Sequence, residues 1–497
     1  MNHRPRRLHL LFATGALLFA SQLRAAAAAP AQDAPDPRAA RVDALFADLN
    51  RTPSPGLAVA VVRDGRVILR RGYGLASIEH RVPVSPSTVF DVASLAKQFT
   101  GLAVAMLVSE GKVGLSDDIR KYIPELPDFG RPITIEHLLR HTSGLRDWHA
   151  TFSVAGWRPD DPVTFGNILT LAYNQRTLNF APGAEYSYSN TGYNLLAELV
   201  RRVTGRPFRG WADEHFFRPL GMADTRVRED YNEVIANRAY GYARGPGGSF
   251  RVTPNNLTAL GSSSVFTSAD DFARWLINFD GAAVGGRAAV SLMRKPGALN
   301  DGTAVNYGFG ITTGRHRPSG LPFFTSSGAW ASFNAYDAYF PEQKFGVVVL
   351  ANSGAVDAQS AVIKITDIYL EKEFAAATAP PAAAAASAAA QAPARNAEAT
   401  PAALDEYAGA YRLGPDSIAR VERYETMLLF QMPRRGHALM SPRSEKEFRV
   451  EGEEEGATIV FQRDAAGKVT SLTYDGWPAP RVPASEMRPP AGLAEYA

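Results

Sequence analysis

The chain predicts an α+β fold: an antiparallel sheet flanked by helices, with an inserted all-helical region, followed by a small C-terminal all-β domain. Three observations carry that expectation. Strand-like apolar runs occur near residue 57 and again near residue 333, and helical periodicity fills the interval between them. An Ala/Pro-rich stretch then gives way to short alternating runs.

Taken in order, Leu57 to Arg63 and Val67 to Arg71 flank Asp64-Gly65, a two-residue turn signal that predicts a hairpin. Leu95, Phe99, Leu102 and Met106 follow helical spacing, so a buried helix is expected from Ser94 to a stop at Gly111. Helical patterns continue to about Pro296. Among them, Leu195, Leu196, Leu199 and Val200 mark an amphipathic helix from Thr191 to Val203, with Gly205 after it. Phe333 to Phe340 and Phe345 to Ala351 read as strands around Pro341-Glu342-Gln343-Lys344, and Asp357 to Phe374 reads as a helix. One sheet assembled from distant segments, with helices inserted in it, accommodates all of these.

Ala375 to Ala402 is nearly all Ala and Pro and cannot bury a core, so residues 376–402 are expected to be a linker. Tyr407 to Arg412, Met427 to Gln431, Ala457 to Gln462 and Val469 to Tyr474 then predict a β module over 403–497. The acidic run Glu451 to Glu455 within it is expected to be a solvated loop. The main domain is placed at 30–375. Ahead of it, Arg4, Arg6 and Arg7 precede the apolar run Leu8 to Leu23, and small residues follow at Ala25 to Ala29. This is the layout of a secretory signal over 1–29, and the run is too short to anchor in a membrane. A periplasmic or secreted protein is the expectation.

The formal charge of +3 includes Arg4, Arg6, Arg7 and Arg24, so loss of the signal leaves about −1. That balance gives no electrostatic reason to expect nucleic acid or an anionic membrane as partner. The chain has no cysteine, which excludes disulfides, thiol chemistry and cysteine lipidation.

The chemistry starts at Ser94-Leu95-Ala96-Lys97. Residues three apart share a helix face, so Ser94 and Lys97 are expected to point the same way, with Gly101 leaving that face open. A serine hydroxyl is a weak nucleophile until a neighbour takes its proton, and a desolvated lysine does this. The same spacing at Ser109 and Lys112 spans Gly111, so there it reads as a helix end with a solvated lysine. A second polar cluster, Tyr186-Ser187-Tyr188-Ser189-Asn190, follows the Pro182-Gly183 turn. A tyrosine near a lysine ammonium ionises more easily and can shuttle a proton. An asparagine two residues on can hold the lysine and the substrate. The third cluster is Thr325-Ser326-Ser327-Gly328-Ala329-Trp330, where a strand-edge N–H can join that of Ser94 in an oxyanion hole.

These clusters, in this order, resemble the serine β-lactamase and penicillin-binding protein superfamily. The likeness is to its class C β-lactamase, esterase and D-aminopeptidase branch, with its S-x-x-K, Y-x-N and K-T-G or H-x-G motifs. His141-Thr142-Ser143-Gly144-Leu145 is similar to a stretch frequent in that branch, and the resemblance covers about Thr52 to Phe374. Tyr407 to Tyr411 is similar to small β-barrel-like domains attached to such hydrolases.

The resemblance implies a β-lactamase/transpeptidase-like fold with Ser94, Lys97 and Tyr188 catalytic. It implies that Asn190, Ser326, Gly328 and Ala329 bind substrate, without cofactor or metal. Whether Lys97 or Tyr188 is the base stays open. One departure stands out: Ser326 occupies the place of the family's Lys or His, and Ser332 that of a later glycine. A neutral serine removes a charge-assisted contact to a substrate carboxylate, which shifts expectation from β-lactams toward esters and amides. Arg315 or His316 is a candidate replacement cation.

The reading is a secreted serine hydrolase acting through an acyl-enzyme on a small ester, amide, β-lactam or short peptide. The alternative is a non-catalytic binding or sensor protein of the cell envelope on the same scaffold. His137 and His141 have zinc-like spacing but lack the H-E-x-x-H glutamate, so packing roles are expected. No G-x-S-x-G elbow and no phosphate-binding loop occur.

Overall fold

The computed structural model describes residues 36–378 apart from 52, 159 and 317–318. It also describes 404–483 apart from 415–416, 425–426, 433–435, 443, 445, 451–457 and 475–476. The signal segment 1–29, the acidic run and most of the linker lie outside the described residues.

The main sheet has six antiparallel strands: β1 (Leu57–Arg63), β2 (Arg66–Tyr73), β3 (Thr312–Arg315), β4 (Pro322–Trp330), β5 (Phe333–Phe340) and β6 (Phe345–Ala351). Their order is β3-β4-β5-β6-β1-β2, so β1 lies between its hairpin partner and β6, which comes almost 300 residues later. The predicted hairpin forms, with Asp64 and Gly65 at φ 50° and 71°, as a tight hairpin turn requires.

The six helices that matter here are α1 (Pro37–Leu45), α2 (Lys97–Ser109), α3 (Asn190–Thr204), α4 (Ala269–Gly281), α5 (Gly286–Arg294) and α6 (Ala358–Thr378). Alternate residues of β1 serve two cores. Leu57, Val59 and Val61 join a cluster with Val42 of α1 and Ile365 of α6. Ala58, Ala60 and Val62 join a larger one with Phe99 of α2 and Phe272 of α4. Burial on both faces explains why β1 and β6 read as continuous apolar runs instead of alternating ones.

Shorter helices join α3 in the interval from Ile135 to Ala212, and further short strands lie between Arg226 and Ser268. Helix α6 runs to Thr378, so its last residues take up 376–378, the start of the stretch expected to be linker. Gly101 does not leave a face open: a Cβ there would lie 2.1 Å from the Phe309 carbonyl oxygen, which packs on α2.

The C-terminal sheet has eight antiparallel strands in sequence order from Gly409–Gly414 to Trp477–Pro480. Tyr411 bridges to Arg481 and the Val482 N–H donates to the Ala410 carbonyl, so the first strand meets the last in a barrel-like closure. Its own core includes Tyr407, Tyr411, Phe430, Phe448 and Phe461.

Candidate active site

Three segments converge on Ser94. The first enters through the strand Val89–Asp91. The fully buried Asp91 accepts from the Ala93 N–H at 2.8 Å and from Asn255 Nδ2 at 2.6 Å, which fixes Ala93 at φ 46°. This strained residue turns the chain into a 3₁₀ turn over Ala93–Ala96, and α2 begins only at Lys97. Ser94 therefore stands on a tight turn ahead of the helix, where helical spacing alone had placed it inside. The turn still directs both side chains to one point. The stop at Gly111 is observed, with φ 70°, and Lys112 pairs with Glu110 at the surface.

Lys97 is fully buried and its Nζ has three partners. These are Ser94 Oγ at 3.1 Å, Asn190 Oδ1 at 2.8 Å and the Ser262 carbonyl oxygen at 2.9 Å. Burial pushes the lysine down to about 7, opposed by the Asp147 carboxylate. A neutral amine has two N–H donors and one lone pair. The two carbonyl oxygens take the donors, which leaves the lone pair for the Ser94 hydroxyl.

The second segment brings Tyr188, whose hydroxyl donates to Ser94 Oγ at 2.9 Å, with its ring centroid 4.8 Å from Lys97 Nζ. Enclosure of the hydroxyl pushes this phenol above its ordinary range, and the Ser94 hydrogen bond opposes the push. With 41% of Tyr188 exposed, solvent tempers the effect. The expected easing of Tyr188 ionisation by a lysine ammonium is not found. Desolvation dominates both groups and favours their neutral forms.

Asn190 is the first residue of α3, and its backbone N–H donates to Asp147 Oδ1 at 2.8 Å. His141 supports this segment from below. Its Nδ1 accepts from the Ser189 N–H at 3.1 Å, and its ring packs 4.5 Å from that of Tyr188. Burial pushes the imidazole well below its ordinary range and holds it neutral. His137 closes a capping box with Thr134, so both histidines serve packing and hydrogen bonding.

The third segment is the end of β4. A Cβ on Gly328 would lie 2.2 Å from the Val92 carbonyl oxygen and 2.8 Å from the Ser94 nitrogen, so only glycine lets this strand touch the nucleophile turn. Ala331 and Ser332, at φ 46° and 64°, make the two-residue hairpin that pairs Trp330 with Phe333. Ser332 thus adopts the left-handed conformation in which glycine is favoured. In such a hairpin the closing pair is hydrogen-bonded and the next pair, Ala329–Asn334, is not. The Ala329 N–H therefore points away from β5, and β3 pairs with β4 only as far as Thr325. That leaves the N–H open on the Ser94 side. The Ser94 N–H has no acceptor among the described residues.

Ser326 sits two residues before Gly328 on the same face of β4, directly opposite Asp337 of β5. Neither candidate cation replaces the missing charge. Arg315 donates to the Gly320 carbonyl at 2.9 Å, and His316 stacks on Phe374 of α6 at 4.0 Å. Both lie at the far end of the sheet, three or more residues beyond Thr312, the partner of Thr325. Sequence reasoning missed Asp147 and the Ser262 carbonyl. An aspartate in a loop looks like any other, and a backbone oxygen carries no residue signature. No cluster of potential metal ligands occurs among the described residues.

Comparison with known proteins bears on the fold and the family. A D-aminopeptidase of Gluconobacter oxydans (strain 621H) is 30% identical over 318 residues, covering 64% of this chain and 59% of that protein. The chain thus spans less than two thirds of that relative's length. Among solved structures, the octameric penicillin-binding protein homologue from Pyrococcus abyssi has a TM-score of 0.60 at 21% identity, over 88% of this chain and 99% of that one. The D-amino acid amidase from Ochrobactrum anthropi SV3, complexed with L-phenylalanine amide, has a TM-score of 0.58 at 21% identity, over 68% and 100%. Those two likenesses speak to fold. Residues 42–370 match the sequence model of the family described as Beta-lactamase, a span that holds the six-stranded sheet and all three converging segments. The chain belongs to the Beta-lactamase family.

Proposed function

We propose that this protein is a secreted or periplasmic serine hydrolase of the class C β-lactamase-related type, working through a Ser94 acyl-enzyme on small esters or amides. The observation that carries the reading is the position of Ser94 Oγ between Lys97 Nζ at 3.1 Å and the Tyr188 hydroxyl at 2.9 Å. Neutral Lys97 takes the Ser94 proton as Oγ attacks the carbonyl carbon. The N–H groups of Ser94 and Ala329 hold the resulting oxyanion. Tyr188, neutral and bonded to Oγ, passes a proton from the lysine to the leaving group as the carbonyl re-forms. A water then attacks the acyl-enzyme by the same route in reverse and frees Ser94.

The absence of a cation at Ser326 favours substrates that need no carboxylate partner, so esters and amino-acid amides rank above β-lactams. A non-catalytic binder would have no use for a lysine held neutral against a serine hydroxyl. Labelling with a fluorophosphonate and turnover of a p-nitrophenyl ester test the reading in wild type and Ser94→Ala. Both signals are expected to vanish in the variant. Equal labelling or equal rates in the two proteins would remove Ser94 as nucleophile and favour the binder.

A further inference from the structure

The charge balance of this cleft is opposite to that of a site built for acids. Ser326 is neutral, and Arg315 and His316 are engaged elsewhere. The carboxylate of Asp147 acts electrostatically on both Lys97 and Tyr188. Its neighbour Arg146 is exposed and donates to Thr177 Oγ1 at 2.7 Å, away from Asn190.

Asp147 directly precedes the helix Trp148–Val154, yet its side chain does not cap that helix. Oδ1 instead accepts from the Asn190 N–H at 2.8 Å. Oδ2 has no donor among the described residues and is not sealed from solvent. The same segment brings aromatic faces to the oxyanion strand. The rings of Trp148 and His149 pack 6.3 and 5.7 Å from Trp330, which follows Ala329. The Trp330 Nε1 is buried without an acceptor among the described residues. An open carboxylate oxygen beside aromatic faces is the surrounding that an ammonium group favours.

We propose that Asp147 is a specificity residue that receives the free α-ammonium of an amino-acid amide, ester or short peptide, so that the enzyme selects substrates with an unblocked amino terminus. The amine of an α-amino acid lies two bonds from the scissile carbonyl carbon, so its partner has to stand beside the nucleophile. Asp147 is tied to that neighbourhood by Asn190, whose Oδ1 accepts from Lys97 and whose backbone N–H donates to Asp147. The inference rests on the Ser94 acyl-enzyme reading for turnover, and its binding half is measurable without turnover.

The first measurement is calorimetric binding of D-alaninamide and N-acetyl-D-alaninamide to the full chain carrying Ser94→Ala. The free amine is expected to bind about tenfold tighter or better, and adding Asp147→Asn is expected to bring the two within about twofold. Asparagine keeps an acceptor for the Asn190 N–H, so the scaffold contact survives. Equal affinities before the second substitution, or a preference that persists after it, overturn the proposal.

The second measurement is kcat/KM for alanine p-nitroanilide against its N-acetyl form. With Asp147→Asn the ratio is expected to fall about tenfold or more. An equal loss on both substrates would mark a purely structural role and overturn the proposal. If Ser94 proves unreactive while the amine preference in binding is found and is lost with Asp147→Asn, the hydrolase reading fails and this one stands.

Discussion

The first turn of α2 carries two neighbouring side chains that lead to two buried ionisable groups, and the two are served very differently. Lys97 is itself one of them, and its nitrogen has a partner for each direction that a neutral amine offers. Gln98 leads to the other. Its Nε2 donates to Asp337 Oδ1 at 3.0 Å, while its Oε1 accepts from Trp275 Nε1 at 3.0 Å. The second oxygen of Asp337 is buried with no partner among the described residues. Burial pushes Asp337 up to about 8 and Lys97 down to about 7, so both favour their uncharged forms. The lesson is that desolvation alone does not make a catalytic group. What separates Lys97 is a complete hydrogen-bond set with a nucleophile at its open end, whereas Asp337 faces neutral Ser326 across the strand pair.

The largest expected effect lies on the lysine side. Lys97→Met should lower kcat/KM for a p-nitrophenyl ester by about 10³-fold and slow fluorophosphonate labelling of Ser94 in proportion. Unchanged near-ultraviolet circular dichroism would show that the fold survives. A loss below about tenfold would break the contrast, because burial would then matter more than contact with Oγ.

The next effect is a pH dependence. If neutral Lys97 is the base, kcat/KM should climb about tenfold per unit below pH 7 and level off above about 7, following the lysine. Tyr188, pushed upward, would as the base give a rise continuing far into the alkaline range. A rate profile of wild type on a neutral ester, whose own charge does not change, distinguishes these. A limb that stays put in Tyr188→Phe, with the rate lowered about 10²-fold, would assign Tyr188 to proton relay.

How much of this was legible beforehand follows from the kind of group involved. The hairpin at Asp64-Gly65 and the helix stop at Gly111 were readable because backbone conformation demanded particular residues there. Ser94, Lys97, Tyr188 and Asn190 were readable as an ordered set, and the structure links all four in one hydrogen-bonded chain, from Tyr188 to Ser94 to Lys97 to Asn190. The 3₁₀ turn under Ser94 was not, since Ala93 at φ 46° is held by Asp91 and Asn255, a long-range arrangement. In the C-terminal sheet, strands such as Ser417–Tyr424 went unread because Arg420, Glu422 and Arg423 break the apolar pattern while Ala419 and Val421 face the core. Asp337 did leave a signal. It shares the inward register of β5 with Phe333, Ala335 and Tyr339, where a charged residue has no ordinary reason to be.

That register gives the smallest effect and the one that most sharpens the comparison. The unfolded chain ionises Asp337 near its ordinary value of 3.8, while the folded chain resists until about 8. Between those values the native state holds a proton that the unfolded state has lost, so stability falls as pH rises through this window. The penalty is absent below it and complete above it. Lys97 runs the other way: its penalty is complete below about 7 and fades toward its ordinary 10.5. Asp337→Asn keeps an acceptor for Gln98 Nε2 and removes the ionisation. It should raise the free energy of unfolding by about 1–3 kcal/mol at alkaline pH and by almost nothing near pH 4. Urea denaturation of both proteins across that range reads the difference directly. A stabilisation independent of pH would mean that the carboxyl titrates alike in both states, solvated or paired in the native one. The contrast between a served and an unserved buried group would then have to be abandoned.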